Sequence, residues 1–277
     1  MKANQQVSVI FSTYNSVAWL EKVLWGFANQ DYPNLEIVIA DDGSDVETKK
    51  KILELKHDFN LNLNHVWQPD EGFQKSRILN KAIEASSSDY LIFTDGDCIP
   101  RHDFVSVHTQ NAKRGYFLSG GYFKLPMETS LKIDKEDIFN GNAFEKKWLL
   151  TNGLPWTYKL LKLTSTGWWE KALNRFTPAG APWNGHNSSG WKSDLLQVNG
   201  FDERMQYGGQ DRELGERLFN LGLKSKQIRY SAICVHLDHK RGYATPESIS
   251  KNQAIRKVTR NSGKTWTPYG IKKQNND

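Results

Sequence analysis

Only two cysteines, Cys98 and Cys234, occur in this 277-residue chain, and no stretch approaches the roughly 18 apolar residues that a membrane-spanning helix requires. The first scarcity argues against a disulfide scaffold and for a cytoplasmic setting. The second argues against a spanning helix, and residues 1–6 carry no apolar core that would direct export. Internal repeats and low-complexity linkers are also missing, which favours a single domain with insertions over an array. Hydrophobic residues make up 38% and charged residues 25%, the balance of an ordinary folded soluble protein rather than a disordered one.

Charge is unevenly placed. The formal net charge is +6, yet from His239 to Asp277 there are nine Lys or Arg against two acids, Glu247 and Asp277. Residues 241–277 therefore read as a basic C-terminal extension, either solvated or holding an anionic partner. No nucleic-acid-binding module accompanies it, so nucleic acid is not expected as a partner.

The first 120 residues alternate strand and helix patterns. Strands are expected over 7–11, 35–40, 61–67 and 90–94, with helices over 17–28, 46–57 and 73–85. Such alternation predicts an α/β fold with a mostly parallel twisted sheet flanked by helices, and ligands then bind beyond the carboxyl ends of the strands. Three of these ends carry polar clusters: Ser12-Thr13-Tyr14-Asn15, Asp41-Asp42-Gly43-Ser44 and Asp95-Gly96-Asp97. The second half is less regular. Residues 128–176 contain no clear strand, a short helix is expected over 191–198, and Gly208-Gly209 opens an amphipathic helix over 212–221. A strand-like run, 230–235, leads into His236-Leu237-Asp238-His239.

Asp95 and Asp97 are separated by one residue, so on an extended chain their carboxylates point the same way. Left alone they repel, and a divalent ion resolves the conflict, with oxygen ligands selecting Mg2+ or Mn2+. The bland alternative is a solvated Asp-Gly turn. Asp41-Asp42 has a similar alternative as an acidic turn capping the next helix.

In this order and spacing, the motifs resemble the inverting, metal-dependent glycosyltransferases of family 2 and their GT-A-fold (nucleotide-diphospho-sugar transferase) relatives. The motifs are Ser-Thr-Tyr-Asn, Asp-Asp-Gly-Ser, Asp-Gly-Asp, Asn-Gly-Phe-Asp, Gly-Gly-x-Asp and His-x-x-His. The resemblance runs from Val7 to about His239. It implies a catalytic domain over 1–240, with 1–120 as the nucleotide-sugar-binding half and 121–240 as the acceptor half around the insert 128–176. It implies donor contacts from Thr13, Tyr14, Asp42 and Asp95, and a metal bound by Asp97, with Asp95 acting directly or through water. Family members often carry an Arg before the Asn of the 72–80 segment, where this chain has Leu79, so Lys75 or Arg77 supplies that charge. Asp211 is implied as the base that takes the acceptor proton. Many relatives have an acid one position earlier, whereas this chain has Gln210. The segment from Gly208 to Arg241 further resembles the β-1,4-galactosyltransferases, which implies His239 as a metal ligand and His236 as a less certain one. Trp183, Asn184, Gly209 and Gln210 are placed on the acceptor side.

The implied partners are a nucleotide-sugar donor, UDP-hexose or UDP-N-acetylhexosamine, and a carbohydrate or lipid-linked glycan acceptor in cell-surface polysaccharide or lipopolysaccharide synthesis. Six of the ten Trp lie between Trp148 and Trp191, interleaved with Lys and Leu. Such a mixture suits an anionic membrane surface, an acceptor platform or an aromatic mini-core, and adds a lipid-linked or phosphorylated acceptor to the expectations. Two other functional classes stay in view. A nucleotidyltransferase acting on sugar phosphates would want a Gly-rich basic loop after the first strand, which this chain lacks. A non-catalytic carbohydrate- or membrane-binding relative would have lost the carboxylates, which this chain retains.

Overall fold

The computed structural model describes residues 5–178, 180–240 and 244–273. Arg241, part of the basic pair after His239 in the expected metal element, lies outside the described residues.

The parallel half forms where apolar runs are bounded by turn residues. In chain order it comprises β1 (Val7–Thr13), α1 (Val17–Ala28), β2 (Leu35–Asp41), α2 (Val46–Asp58), β3 (Leu63–Trp67), α3 (Lys75–Ala85) and β4 (Tyr90–Asp95). Strand β1 pairs in parallel with β2 and with β4, and β2 with β3. Alternation along β1 separates two core clusters. Val7, Val9 and Phe11 join α1 and α2, whereas Ile10 joins Ile78, Leu79, Ala82 and Ile83 of α3.

The remaining elements follow as β5 (Cys98–Pro100), α4 (Phe104–Asn111), β6 (Tyr116–Ser119) and β7 (Phe123–Lys124). Five helices fill the insert: α5 (Met127–Lys132), α6 (Lys135–Phe139), α7 (Lys146–Thr151), α8 (Leu161–Thr164) and α9 (Gly167–Phe176). Then come β8 (Asn187–Trp191), α10 (Lys192–Gln197), α11 (Gln210–Asn220), β9 (Lys224–Gln227), β10 (Cys234–His236) and α12 (Pro246–Ser262). The main sheet is seven-stranded in the order β3-β2-β1-β4-β8-β6-β9, with β8 antiparallel to both of its neighbours. A three-stranded sheet, β5-β10-β7, sits beside it.

Strand β8 is not anticipated by the sequence pattern, because Asn187-Ser188-Ser189-Gly190-Trp191 has no apolar run. It is nonetheless fully buried. Its serine and asparagine side chains are satisfied internally: Tyr90 Oη and His108 Nδ1 each lie 2.7 Å from Ser189 Oγ, Asn184 N–H donates to Ser188 Oγ at 2.9 Å, and Asn187 Nδ2 donates to Gly121 O at 2.8 Å. The helix expected from Trp191 begins at Lys192, since Trp191 still pairs with Tyr90 as strand.

The insert divides its residues. Leu149, Leu154, Leu160 and Leu163 enter the core, while Trp156, Tyr158, Trp168, Trp169 and Phe176 are exposed. The basic segment after residue 243 packs on the domain. Arg256 pairs with Glu216 of α11 at 2.6 Å, Asn199 Nδ2 donates to Thr267 O at 2.7 Å, and Ile271 packs on the second core cluster. No helix among the described residues is long and apolar enough to cross a membrane.

Candidate active site

The parallel register aligns Thr13 with Asp41 and Ser12 with Asp95, so three polar strand ends open onto one crevice of about 720 Å3. That volume suits a ligand of nucleotide size. Asp42, Asp95, Asp97 and Asp211 line it together with Lys75, His236 and His239.

Each strand end is built differently. Among the described residues, the buried Thr13 hydroxyl has no hydrogen-bond partner, which leaves it available to a ligand. Tyr14 donates its phenol to Asp70 at 2.7 Å, which holds the phenol pKa above its ordinary value. The two neighbouring acids have separate tasks. Asp41 is fully buried, accepting from Ser44 N–H at 2.8 Å and lying 2.8 Å from His65 Nε2. Asp42 faces the crevice and accepts from Gln68 at 2.6 Å and from Gln74 N–H at 2.8 Å. Burial raises its pKa, against those two hydrogen bonds. The helix after Ser44 is capped by Asp45, which accepts from Thr48 N–H at 3.1 Å.

Between Asp95 and Asp97 only glycine fits. A Cβ on Gly96 would lie 2.6 Å from the Ser12 carbonyl oxygen, to which Gly96 N–H donates at 3.0 Å. Lys75 Nζ reaches Asp95 Oδ1 at 2.6 Å. Burial opposes the charge on Lys75, but the carboxylates of Asp95, Asp97 and Asp211 outweigh it and hold the ammonium above the usual lysine range. Arg77, the other cation considered for this place, turns away. It pairs with Glu71 at 2.7 Å on the surface and does not line the crevice.

The small sheet brings the histidines in. Antiparallel pairing sets His236 opposite Cys98, and Leu237 N–H donates to Asp97 O at 2.9 Å. His239 Nε2 then lies 2.9 Å from Asp97 Oδ2, and His236 Nε2 3.7 Å from the same oxygen. Burial pushes the Asp97 pKa up, but the His239 hydrogen bond, His236 and Lys75 bring it below its ordinary value. These side chains fit a divalent ion. Asp97, Cys98 and His236 offer ligand atoms within 4.8 Å of one another, and His236 Nδ1 is buried without a partner among the described residues. Cys98, which the sequence pattern does not single out as a ligand, is the weakest of the set because burial raises its thiol pKa well above normal.

Asp211 stands in the first turn of α11, after Gly208 and Gly209 at φ +108° and +95°, values that L side chains rarely adopt. Gly185 lies between Asp211 and Asp95, so a Cβ there would be 3.9 Å from each side chain. Of the residues expected on the acceptor side, Gly209 and Gln210 line the crevice and Asn184 lines an adjoining cavity. Trp183 requires correction. It is fully buried against Phe93 and Phe117, with ring centroids 5.4 and 5.7 Å away, and therefore supports the wall rather than facing an acceptor. Sequence reading did not single out Tyr122, whose ring meets that of His186, in the segment expected on the acceptor side, edge to face at 4.4 Å between the two cavities. Burial pushes the His186 imidazole down to about 4, so it is neutral at pH 7.

The family model described as Glycosyl transferase family 2 matches residues 8–163. A Campylobacter jejuni GalNAc(5)-diNAcBac-PP-undecaprenol beta-1,3-glucosyltransferase is 30% identical over 146 residues, covering 51% of this chain and 44% of that protein. An Escherichia coli chondroitin synthase is 26% identical over 241 residues, covering 80% of this chain and 33% of that protein. The chain thus spans less than half the length of these curated relatives. Among solved structures, S. aureus TarS 1-349 in complex with UDP-GlcNAc superposes with a TM-score of 0.61 at 16% identity, covering 92% of this chain and 66% of that one. The Pyrobaculum calidifontis mannosyltransferase PcManGT in complex with GDP-Man and Mn2+ gives 0.56 at 18%, covering 93% and 70%. These two are similar in fold.

Proposed function

Since the chain belongs to glycosyl transferase family 2, we propose that it moves a sugar from a nucleotide-sugar donor to a carbohydrate acceptor with inversion at the anomeric carbon. The observation that carries this reading is the convergence of Thr13, Asp42, Asp95, Asp97 and Asp211 on one crevice. In it, the unpartnered Thr13 hydroxyl, the Tyr14 ring and Asp42 take the nucleoside, and Lys75 takes the diphosphate. A carboxylate accepts from uracil N–H or ribose O–H, which favours a UDP-linked hexose or N-acetylhexosamine. The UDP-GlcNAc complex of a fold neighbour supports that donor class.

Asp97 and His239, with His236 as a further ligand, would hold Mn2+ or Mg2+; the Mn2+ in a fold neighbour supports the first. When bound, the ion supplies Lewis-acid assistance to the departing diphosphate. Asp211 accepts the proton of the acceptor hydroxyl while that oxygen bonds to the anomeric carbon and the bond to the diphosphate breaks. Asp211 stands in the first turn of α11, held by backbone N–H donors from Gly185 and Arg212. Gln210 cannot take a proton and serves as a hydrogen-bond partner to acceptor hydroxyls, beside Gly209 and Asn184.

A lipid-linked glycan at the cytoplasmic face of a membrane is the acceptor class favoured by the exposed aromatics. Trp168 and Trp169 stack at 4.0 Å on α9, a helix with no buried residue. The likeness to an undecaprenol-linked glucosyltransferase supports the same class. A screen of UDP- and GDP-sugars for nucleotide release with Mn2+, Mg2+ or EDTA tests the reading. Metal-dependent release from one donor is expected, and no release from any donor with any acceptor glycan counts against it.

A further inference from the structure

The donor crevice has a neighbour. Tyr122 and His186 line both it and a second cavity of about 760 Å3, which runs toward the insert. Cations dominate that cavity: Lys159 and Lys162 from the insert, Arg212 from α11, and Arg229 from the segment after β9. The one acid among its described lining residues, Asp238, is already paired with Lys124 at 3.0 Å. Among the described residues, no carboxylate forms an ion pair with Lys159, Lys162, Arg212 or Arg229. Lys162 is partly buried, and its ammonium donates to Tyr122 O at 3.1 Å.

Like charges gathered without acids destabilise one another, and burial adds to the cost. Burial, then Arg229 and Lys159, lower the Lys162 pKa accordingly. A ligand anion offsets this repulsion, and a ring of cations in a cleft concentrates anions. The donor diphosphate is not that anion. Lys75 serves the donor crevice, which Lys159, Lys162 and Arg229 do not line. Arg212 follows Asp211 directly in sequence, so the cationic cavity begins beside the carboxylate proposed as the base. Its remaining walls include Leu154, Pro155 and Pro182, which suit sugar-ring faces.

We infer that this cavity binds an anionic group, a phosphate or a carboxylate, carried by the acceptor next to the hydroxyl that receives the sugar. The inference rests on the transferase reading of the adjoining crevice and gives its acceptor a chemical class. Charge-assisted contacts from Lys162 and Arg229 hold the anion, with Lys159 at the exposed rim.

The test is calorimetric titration of three probes: an oligo(glycerol phosphate), a hyaluronan hexasaccharide and neutral maltohexaose. Each is added to the wild-type protein and to Lys162→Met, Arg229→Gln and Lys159→Gln variants. At least one anionic probe is expected to bind more tightly than maltohexaose, with affinity falling as salt rises. Lys162→Met and Arg229→Gln should each weaken it about tenfold or more, with Lys159→Gln having a smaller effect. The phosphate and uronate probes distinguish the two anion sources. Unchanged melting temperature and unchanged UDP or GDP affinity in the variants separate lost contacts from misfolding. The inference is overturned if neither anionic probe outbinds maltohexaose, or if all three variants bind as wild type does. Failure of nucleotide binding in wild type would instead sink the transferase reading and leave the oligomer result to be judged separately.

Discussion

Gly185 donates its backbone N–H to Asp211 Oδ2 at 3.0 Å, while Arg212 N–H reaches Oδ1 of the same carboxylate at 2.8 Å. Two backbone donors thus fix the group at the start of α11, turned toward the crevice that Gly185 and Asp95 share. Asp211→Asn preserves the size of the side chain but removes its capacity to take a proton. Transfer should fall by about 100- to 10,000-fold, the usual loss for a general base, with donor affinity nearly unchanged. Progress curves with donor titration check this, and full activity in Asp211→Asn would assign the base elsewhere.

Gly96→Ala should destabilise the protein before any question of catalysis arises. Its Cβ would meet the Ser12 carbonyl oxygen at 2.6 Å, a backbone atom held in the β1–β4 pairing. Overpacking of this kind costs about 1–3 kcal/mol. A melting temperature lowered by roughly 2–8 °C is the expected outcome of a thermal scan.

His108 makes stability depend on pH. It is fully buried, with Ser189 Oγ 2.7 Å from Nδ1 and Asn187 Oδ1 2.9 Å from Nε2, and burial pushes its pKa from 6.5 down to about 3. The folded imidazole stays neutral while the unfolded one takes a proton below about 6.5. Between those values the unfolded state binds more protons, so stability falls as pH drops from 6.5 toward 3 and is fully kept above. The slope from this residue approaches about 1.4 kcal/mol per pH unit. Urea unfolding at pH 7 and pH 5 should show the loss, and His108→Gln should reduce the slope.

Arg217 and Glu213 are each about 1% exposed and pair at 2.7 Å, and Thr259 of α12 donates to the same carboxylate at 2.8 Å. Arg217→Met leaves that carboxylate buried without its cation. Loss of one partner of a buried pair costs about 3–5 kcal/mol. Denaturant unfolding should register a loss of that size, and Glu213→Gln introduced into the same variant should recover part of it.

The parallel half of the fold is legible in sequence because β1, β2 and β4 are apolar runs closed by turns, a pattern set by local chemistry. Strand β8 is hidden because its stability comes from hydroxyl and amide pairs that distant segments supply. Trp183 misleads for a related reason. Its neighbours in sequence are Asn184 and Gly185, yet Gly190 and Gly215 make the space that buries it; Gly215's Cβ position lies 2.7 Å from the Trp183 side chain. Lys75 and Arg77 lie two residues apart at the start of α3, and only the placement of Glu71 and Asp95 decides which one enters the site. The carboxylates at the strand ends were readable because a parallel sheet gathers such ends by topology. The cationic cavity was not, since Lys162 and Arg229 are far apart in the chain.

The most direct test of the proposed site is calorimetric titration of UDP and GDP into wild type and Asp97→Ala, with Mn2+ and with EDTA. One nucleotide should bind wild type in Mn2+, and binding should weaken at least about tenfold in EDTA and in Asp97→Ala, as expected when charge-assisted contacts are lost. Equal binding in all four conditions, or none in any, would contradict it.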